Sequence, residues 1–283
     1  MSETLFTARI RATLGEVDGL MAAWEELEPA PLAVSAIEVA EDDWRVEALY
    51  RVSPDKDVLA QSLKRPVDVS GLQDQNWVKK SLDGLRPVRA GRFVIHGSHD
   101  KDQIPPNLWR LEIEASLAFG TGHHGTTRGC LLAIDALLKQ RRFRRPLDVG
   151  CGSGVLGLAV IRARHIRVRA TDIDGVAAAV TNANAKANGL GRWMRAVRAD
   201  GLAHQSIRAH RPYDLILANI LARPLIRLSG DIERAGRKGT VVVLAGLLST
   251  QARAVFGAYH AKGHRLLRRL VLGEWTILIL ERR

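Results

Sequence analysis

The greater part of this 283-residue chain reads as an α/β domain on a mostly parallel sheet, preceded by a small α+β module. Three observations predict this. From residue 108 onward, strand-length apolar runs alternate with helix-length segments, the signature of βαβ units. The alternation ends in two adjacent strand-like runs joined by a short turn at Gly273, which reads as an antiparallel hairpin. Ahead of residue 108 the order of pieces differs, and the polar run 97–102 with Pro105-Pro106 cannot continue a helix, so it separates the two parts.

The front pieces follow in order. Residues 5–12 alternate apolar and polar side chains as a half-buried strand does, and residues 15–27 place Val17, Leu20, Met21, Trp24 and Leu27 at helical spacing. Residues 33–40 and 44–51 read as two strands joined by the acidic turn Glu41-Asp42-Asp43. After the turn Ser53-Pro54-Asp55, residues 56–64 read as a second helix and 67–72 as a further strand. The order β-α-β-β-α-β is the split-βαβ, ferredoxin-like pattern. The expected division is a front domain over residues 1–86, a linker over 87–107 holding one strand at 92–96, and a rear domain over 108–283.

In the rear domain, helices are expected at 126–140, 154–164, 176–188, 223–235 and 249–261. The strands between them are expected at 146–149, 168–172, 195–199, 213–219 and 240–245, and the closing pair at 264–272 and 274–281. A parallel series closed by an antiparallel hairpin is the ending of a class I (Rossmann-like) methyltransferase sheet rather than of a dinucleotide-binding domain.

Apolar residues make up 46% of the chain, enough to build two cores. Lys and Arg number 42 against 30 Asp and Glu, a net +12 that by itself suggests nucleic-acid or membrane-surface partners. The charge is uneven, however, with a net −5 over residues 1–105 and +17 over 106–283. Two electrically different modules suit different partners. The two cysteines, Cys130 and Cys151, cannot form a disulfide framework, and an acid, Glu3, stands where a signal peptide would carry a basic and then apolar run. A reducing cytoplasm is therefore expected. The longest apolar runs are strand-sized, so no membrane span is expected.

The chemistry concentrates at strand ends. Leu147-Asp148-Val149-Gly150-Cys151-Gly152-Ser153-Gly154 carries a strand into three glycines and then a helix, a turn whose missing side chains let backbone approach a ligand. Gly152 to Gly157 also satisfies G-x-G-x-x-G, and Asp172 lies twenty residues beyond Gly152, as in an NAD-binding fingerprint. Two features favour S-adenosylmethionine instead. Asp148 places an acid inside the strand, which suits a cofactor bearing an amino group and a sulfonium rather than a pyrophosphate. Asn219 ends the fourth strand, where side chains are presented into the site, and its amide can accept from an amine; capping the helix that follows is its other reading. Asp172 suits the two ribose hydroxyls, since an ionised carboxylate accepts both. Asp174 reads as a helix cap, and Asp200, in an Asp-Gly step that also forms ordinary turns, is placed to meet an adenine edge.

The segment Leu117-Ala118-Phe119-Gly120-Thr121-Gly122-His123-His124-Gly125-Thr126-Thr127 is glycine-rich and opens a helix, so it reads as a lid over the cofactor. Phe119, Gly120 and Thr121 are its expected cofactor contacts. His96, His99, His123 and His124 have no acid or cysteine at ligand spacing, so no metal site is expected.

Residues 119–127, the loop from Asp148 to Gly154, and Ala218-Asn219-Ile220-Leu221-Ala222 together resemble the PrmA family, bacterial methyltransferases of the ribosomal protein known as L-eleven. The resemblance spans nearly the whole chain and includes residues 89–100. It implies an S-adenosyl-L-methionine-dependent domain that trimethylates amino groups, lysine side chains and the N-terminal amine, of a large-subunit ribosomal protein. It also implies a ferredoxin-like front domain that grips that substrate. By resemblance the cofactor positions are Thr127, Gly150, Asp172 and Asn219, with Asn219 also aligning the attacking amine; Gly125 departs from the family's usual Pro or Glu. Contact with rRNA or the ribosome accords with the basic rear domain. An RNA methyltransferase and an NAD-dependent oxidoreductase are the alternatives.

Overall fold

The computed structural model describes residues 5–25, 27, 30–31, 33–40, 43–72, 87–98, 100, 104–105, 107–113 and 124–283. They fall into two compact units, one up to residue 84 and one from residue 85.

The first unit runs β1 (Leu5–Ala12), α1 (Leu14–Glu25), β2 (Ala33–Ala40), β3 (Asp43–Tyr50), α2 (Lys56–Leu63) and β4 (Asp68–Leu72). The sheet order is β2-β3-β1-β4, with every neighbouring pair antiparallel, so each helix crosses over one intervening strand. That is the split-βαβ order. Alternate residues Ala8, Ile10 and Ala12 face Val46, Ala48 and Tyr50 from the next strand, over Val17, Leu20 and Trp24 of α1. Trp24 donates its indole N–H to the Tyr50 hydroxyl at 3.1 Å, which lets two amphipathic rings be buried together. Asp55 caps α2 by accepting from the N–H groups of Asp57 and Val58.

The second unit opens with β5 (Val88–Ala90), β6 (Phe93–His96) and β7 (Trp109–Glu112), a three-stranded sheet. β5 and β6 are antiparallel, β6 and β7 parallel. Within the range 87–107 expected as a linker, strands β5 and β6 belong to this unit. Ala90, Phe93, Ile95 and Leu111 join Leu131, Ile134 and Leu138 of α3 (His124–Gln140) in one core. Arg92 stacks its guanidinium 3.9 Å from the Trp109 ring and donates to Asp135 of α3 at 2.6 Å, closing the hairpin onto the helix.

The rest of the unit is β8 (Pro146–Val149), α4 (Val155–Arg164), β9 (Val168–Asp172), α5 (Gly175–Ala187), β10 (Met194–Arg198), α6 (Gln205–Arg208), β11 (Leu215–Asn219), α7 (Ala222–Ala235), β12 (Val241–Leu248), α8 (Ala252–His260), β13 (His264–Leu272) and β14 (Trp275–Arg282). Seven strands order as β10-β9-β8-β11-β12-β14-β13. The first five are parallel; β14 runs antiparallel between β12 and β13. Strands β8, β11 and β12 are buried on both faces, which is why their sequences are nearly continuous apolar runs. Cores lie on both sides, one centred on Leu158, Ile161, Leu217 and Val243, the other on Leu147, Ile216, Val242 and Leu278. The strand order turns back between β8 and β11, and the carboxyl ends of those strands frame the crevice where a ligand binds in such sheets.

Candidate active site at the sheet's carboxyl edge

The glycine loop leaves β8 and starts α4. Gly150, Gly152 and Gly154 all have positive φ, +68°, +52° and +82°. A Cβ on Gly150 would lie 2.2 Å from Ile220 Cγ2, and one on Gly154 would lie 2.7 Å from Thr181 Cγ2, so conformation and space both demand glycine there. A Cβ on Gly152 would meet nothing within 4 Å among the described residues.

The loop's own donors are nearly all engaged within the protein. Gly150 and Cys151 N–H donate to the Thr171 carbonyl at 2.8 and 3.0 Å, and Gly154 N–H to the Cys151 carbonyl at 2.7 Å. Gly152 N–H donates to Asp172 Oδ2 at 2.8 Å. Helix α5 clamps the same loop from outside: the Thr181 hydroxyl donates to the Gly152 carbonyl at 2.8 Å, and the Asn184 amide to the Ser153 carbonyl at 2.9 Å. Thr181 and Asn184 were not legible as site residues; only their polarity at buried positions of an Ala-rich helix hints at them.

Asp148 lies beneath the loop, 1% exposed. Its Oδ2 accepts the Gly157 N–H at 2.9 Å, taking one free donor in the first turn of α4, whose cap residue Gly154 has no side chain to do so. Its Oδ1 has no hydrogen-bond partner among the described residues. Burial pushes its pKa up to about 7, the Asp172 charge adding to that and the Gly157 bond opposing it. The expectation that this acid faces the cofactor is therefore corrected: it supports the loop from below. Burial pushes the Cys130 and Cys151 thiols well above their ordinary range, which makes both inert apolar fillers.

Asp172 ends β9, partly exposed, with both carboxylate oxygens oriented by backbone: Oδ2 by Gly152 N–H and Oδ1 by Asp174 N–H at 3.1 Å. Each oxygen keeps a further lone pair for a diol. Asp174 caps α5 through Val176 N–H, as its sequence context predicts. Asp200 stands at the neighbouring strand end, one residue past Ala199, whose N–H bonds the Asp172 carbonyl. Its carboxylate is taken in a two-pronged pair by Arg227, at 2.7 and 3.1 Å, both side chains exposed. An adenine contact by Asp200 must therefore share that carboxylate with Arg227.

Asn219 ends β11 beside Ala245 of β12, partly exposed. The helix that follows is capped at Leu221 with no side-chain bond, so Asn219 does not cap it. Among the described residues nothing hydrogen-bonds the Asn219 amide, which leaves both its donors and its acceptor for a ligand. Thr127 is buried in the first turn of α3. That helix is pressed onto β14: a Cβ on Gly125 would sit 3.1 Å from Trp275 Cδ1, and one on Gly129 would sit 2.2 Å from Ile277 Cδ1. Phe119, Gly120, Thr121, His99 and His123 lie outside the described residues. His96 is buried with Nδ1 2.7 Å from the Gly97 carbonyl, and among the described residues no cluster could hold a metal.

These residues fit S-adenosylmethionine better than a dinucleotide. A pyrophosphate needs free N–H groups at the loop and helix start, and here those of Gly150, Cys151, Gly152, Gly154 and Gly157 are engaged. What the edge offers instead is acceptors, Asp172 and the Asn219 carbonyl, which suit hydroxyls and cations.

Comparison with known proteins agrees. A family model described as ribosomal protein L11 methyltransferase (PrmA) matches residues 12–283. The ribosomal protein L11 methyltransferase of Rhodopseudomonas palustris is 43% identical over 264 residues, covering 90% of each chain. That of Agrobacterium fabrum is 38% identical over 291 residues, covering 100% of each. A crystal structure of ribosomal protein L11 methylase from Lactobacillus delbrueckii subsp. bulgaricus superposes with a TM-score of 0.62 at 24% identity, over 70% of this chain and 100% of that one, a likeness of fold. The chain belongs to the ribosomal protein L11 methyltransferase family, a family of S-adenosylmethionine-dependent methyltransferases.

Proposed function

We propose that the chain methylates amino groups of ribosomal protein L11, lysine side chains and the N-terminal amine, up to the trimethylated state, using the carboxyl edge of β8, β9 and β11. The observation that carries this reading is the carboxylate at the edge: Asp172, its two oxygens each oriented by one backbone N–H, beside a glycine loop most of whose own donors are engaged. When bound, S-adenosylmethionine supplies an electrophilic methyl group on a sulfonium. Gly150 and Gly152 give backbone room for it, Asp172 accepts from its ribose hydroxyls, and Thr127 closes the site from α3. Asp200 lies at the adenine end, and Phe119, Gly120 and Thr121 belong to the covering segment.

The attacking amine must be neutral. A lysine of ordinary pKa loses about 4.6 kcal/mol in being deprotonated at pH 7. Desolvation of the amine in the site lowers that cost, and Asn219, accepting from the amine N–H, aims its lone pair so that attacker and methyl meet in near-attack geometry. Among the described residues no carboxylate or histidine hydrogen-bonds the Asn219 amide, and water serves as the proton acceptor.

The front unit, acidic in sequence, is the proposed grip for a basic ribosomal protein. Contact with rRNA and a cytoplasmic setting belong to the same proposal; no helix among the described residues is long and apolar enough to cross a membrane. The test is transfer of radiolabelled methyl groups into purified ribosomal proteins and into whole ribosomes. Label in L11 is expected; label in rRNA alone would refute the reading.

A further inference from the structure

The parallel strands have two ends, and the end opposite the glycine loop carries an unneutralised arginine cluster. Arg145 immediately precedes β8, Arg167 immediately precedes β9, Arg169 and Arg195 are second in β9 and β10, and Arg211 lies in the segment entering β11. In register, Arg169 and Arg195 stand side by side on adjacent strands. Like charges in that position cost stability. Burial lowers the pKa of Arg169, and the Arg195 and Arg167 charges lower it further while Tyr213 opposes them. Among the described residues none of the five is in an ion pair. Arg145 donates to the Arg211 carbonyl at 3.2 Å, and Asp214, an acid beside it, has both oxygens on the backbone N–H groups of Arg144 and Arg145. Arg169 Nη2 lies 2.5 Å from His210 Nε2, while Arg169 Nη1 and Arg211 Nε are buried with no hydrogen-bond partner among the described residues.

Stability alone does not explain adjacent guanidinium groups that have no acid paired with them among the described residues. All five are arginine, whose fork matches phosphate oxygens where lysine offers a point charge. None of the exposed large apolar residues, Ile173, Val176 and Leu221 among them, belongs to the cluster, so it lacks the apolar half of a membrane-binding surface. We propose that this amino-end arginine face, Arg145, Arg167, Arg169, Arg195 and Arg211, docks the phosphate backbone of structured RNA. Because it lies at the end of the sheet away from Asp172 and Asn219, RNA bound there leaves the methyl-transfer edge open to a protein substrate. The inference does not depend on which protein is methylated.

The test uses the full chain and a fluorescently labelled RNA hairpin, followed by anisotropy across a salt series. Wild type is expected to bind with a steep salt dependence. The double variant Arg167→Gln/Arg195→Gln, both exposed side chains, is expected to bind tenfold or more weakly, with the salt slope reduced by about 2, one per lost phosphate contact. Arg253→Gln/Arg268→Gln, an equal loss of charge elsewhere, is expected to bind as wild type does. Equal weakening by both double variants, no effect of the first, or binding to phosphatidylserine vesicles in preference to RNA would overturn the proposal. Methyl transfer to free ribosomal protein is the separate readout: the first double variant is expected to retain wild-type turnover, and its loss would overturn the separation of the two ends.

Discussion

Gly246 and Ile220 meet backbone to backbone: a Cβ on Gly246 would lie 2.5 Å from the Ile220 carbonyl oxygen, and Gly246 holds a φ of +80°. The side chain of the same Ile220 fills the space beside Gly150, where a Cβ would lie 2.2 Å away. Ile220 is thus held between the glycine loop and a register shift in β12, and Asn219 precedes it in the chain. Gly246→Ala forces the turn after Asn219 to move. We expect methyl transfer to drop tenfold or more and stability to fall by roughly 1–3 kcal/mol. Steady-state turnover with a urea melt checks this; wild-type turnover would show that the turn does not position Asn219.

Asn219 itself is predicted to act in the reaction more than in cofactor retention. Asn219→Ala should leave S-adenosylmethionine affinity within a few-fold, by calorimetry, and cut transfer tenfold or more. Unchanged turnover removes Asn219 from the mechanism.

Asp172 should show the opposite pattern. Its two oxygens are aimed by Gly152 and Asp174 N–H, and Asp172→Asn replaces one of them with a donor that faces one of those N–H groups. A lost charge-assisted hydrogen bond is worth about 1.5–3 kcal/mol, so cofactor affinity should weaken by tenfold or more. Calorimetry with S-adenosylhomocysteine avoids any dependence on turnover; equal affinity would exclude the ribose role.

How far the site could be read in sequence depended on whether its determinants were local. Strand β9 is legible because Val168, Ala170 and Asp172 follow a strand's alternation, and its carboxyl end puts Asp172 at the edge by the rule of parallel sheets. Strands β5 and β7 were not anticipated because they are three and four residues long and owe their form to β6 and α3. The role of Asp148 was misread for a related reason: its partner is Gly157, in the next helix, and no pattern distinguishes an acid facing a ligand from one capping a helix beneath it. The Arg227 pair on Asp200 joins residues far apart in the chain and could not be anticipated at all.

The clamp from α5 gives a prediction in the loop's backbone. Thr181 is fully buried and donates to the Gly152 carbonyl. Thr181→Val keeps the volume and removes the donor, leaving a loop carbonyl without its partner. A loss of about 1–3 kcal/mol is expected, with weaker cofactor binding because Gly152 is no longer fixed opposite Asp172. Denaturant melts and calorimetry measure the two effects; if neither moves, the clamp is not functional.

Asp148 makes a prediction in pH. Its pKa in the folded chain, about 7, stands above the ordinary 3.8, chiefly through burial. Between those values the folded state holds a proton that the unfolded chain has released, so stability must fall as pH rises through this window and level off above it. Roughly three units at about 1.4 kcal/mol each put the change on the order of 4 kcal/mol. Asp135 and Glu281, whose pKa values are lowered by the cations beside them against the effect of burial, contribute with the opposite sign, losing stability as pH falls. Asp148→Asn isolates the effect, since its amide oxygen can still accept from Gly157 while its charge is gone. Wild type minus variant, measured by denaturant melts at pH 4, 5, 6, 7 and 8, should decline from pH 4 to 7 and then stay flat. A difference that does not change with pH would mean that Asp148 is ionised in the folded protein and that its free oxygen has a partner.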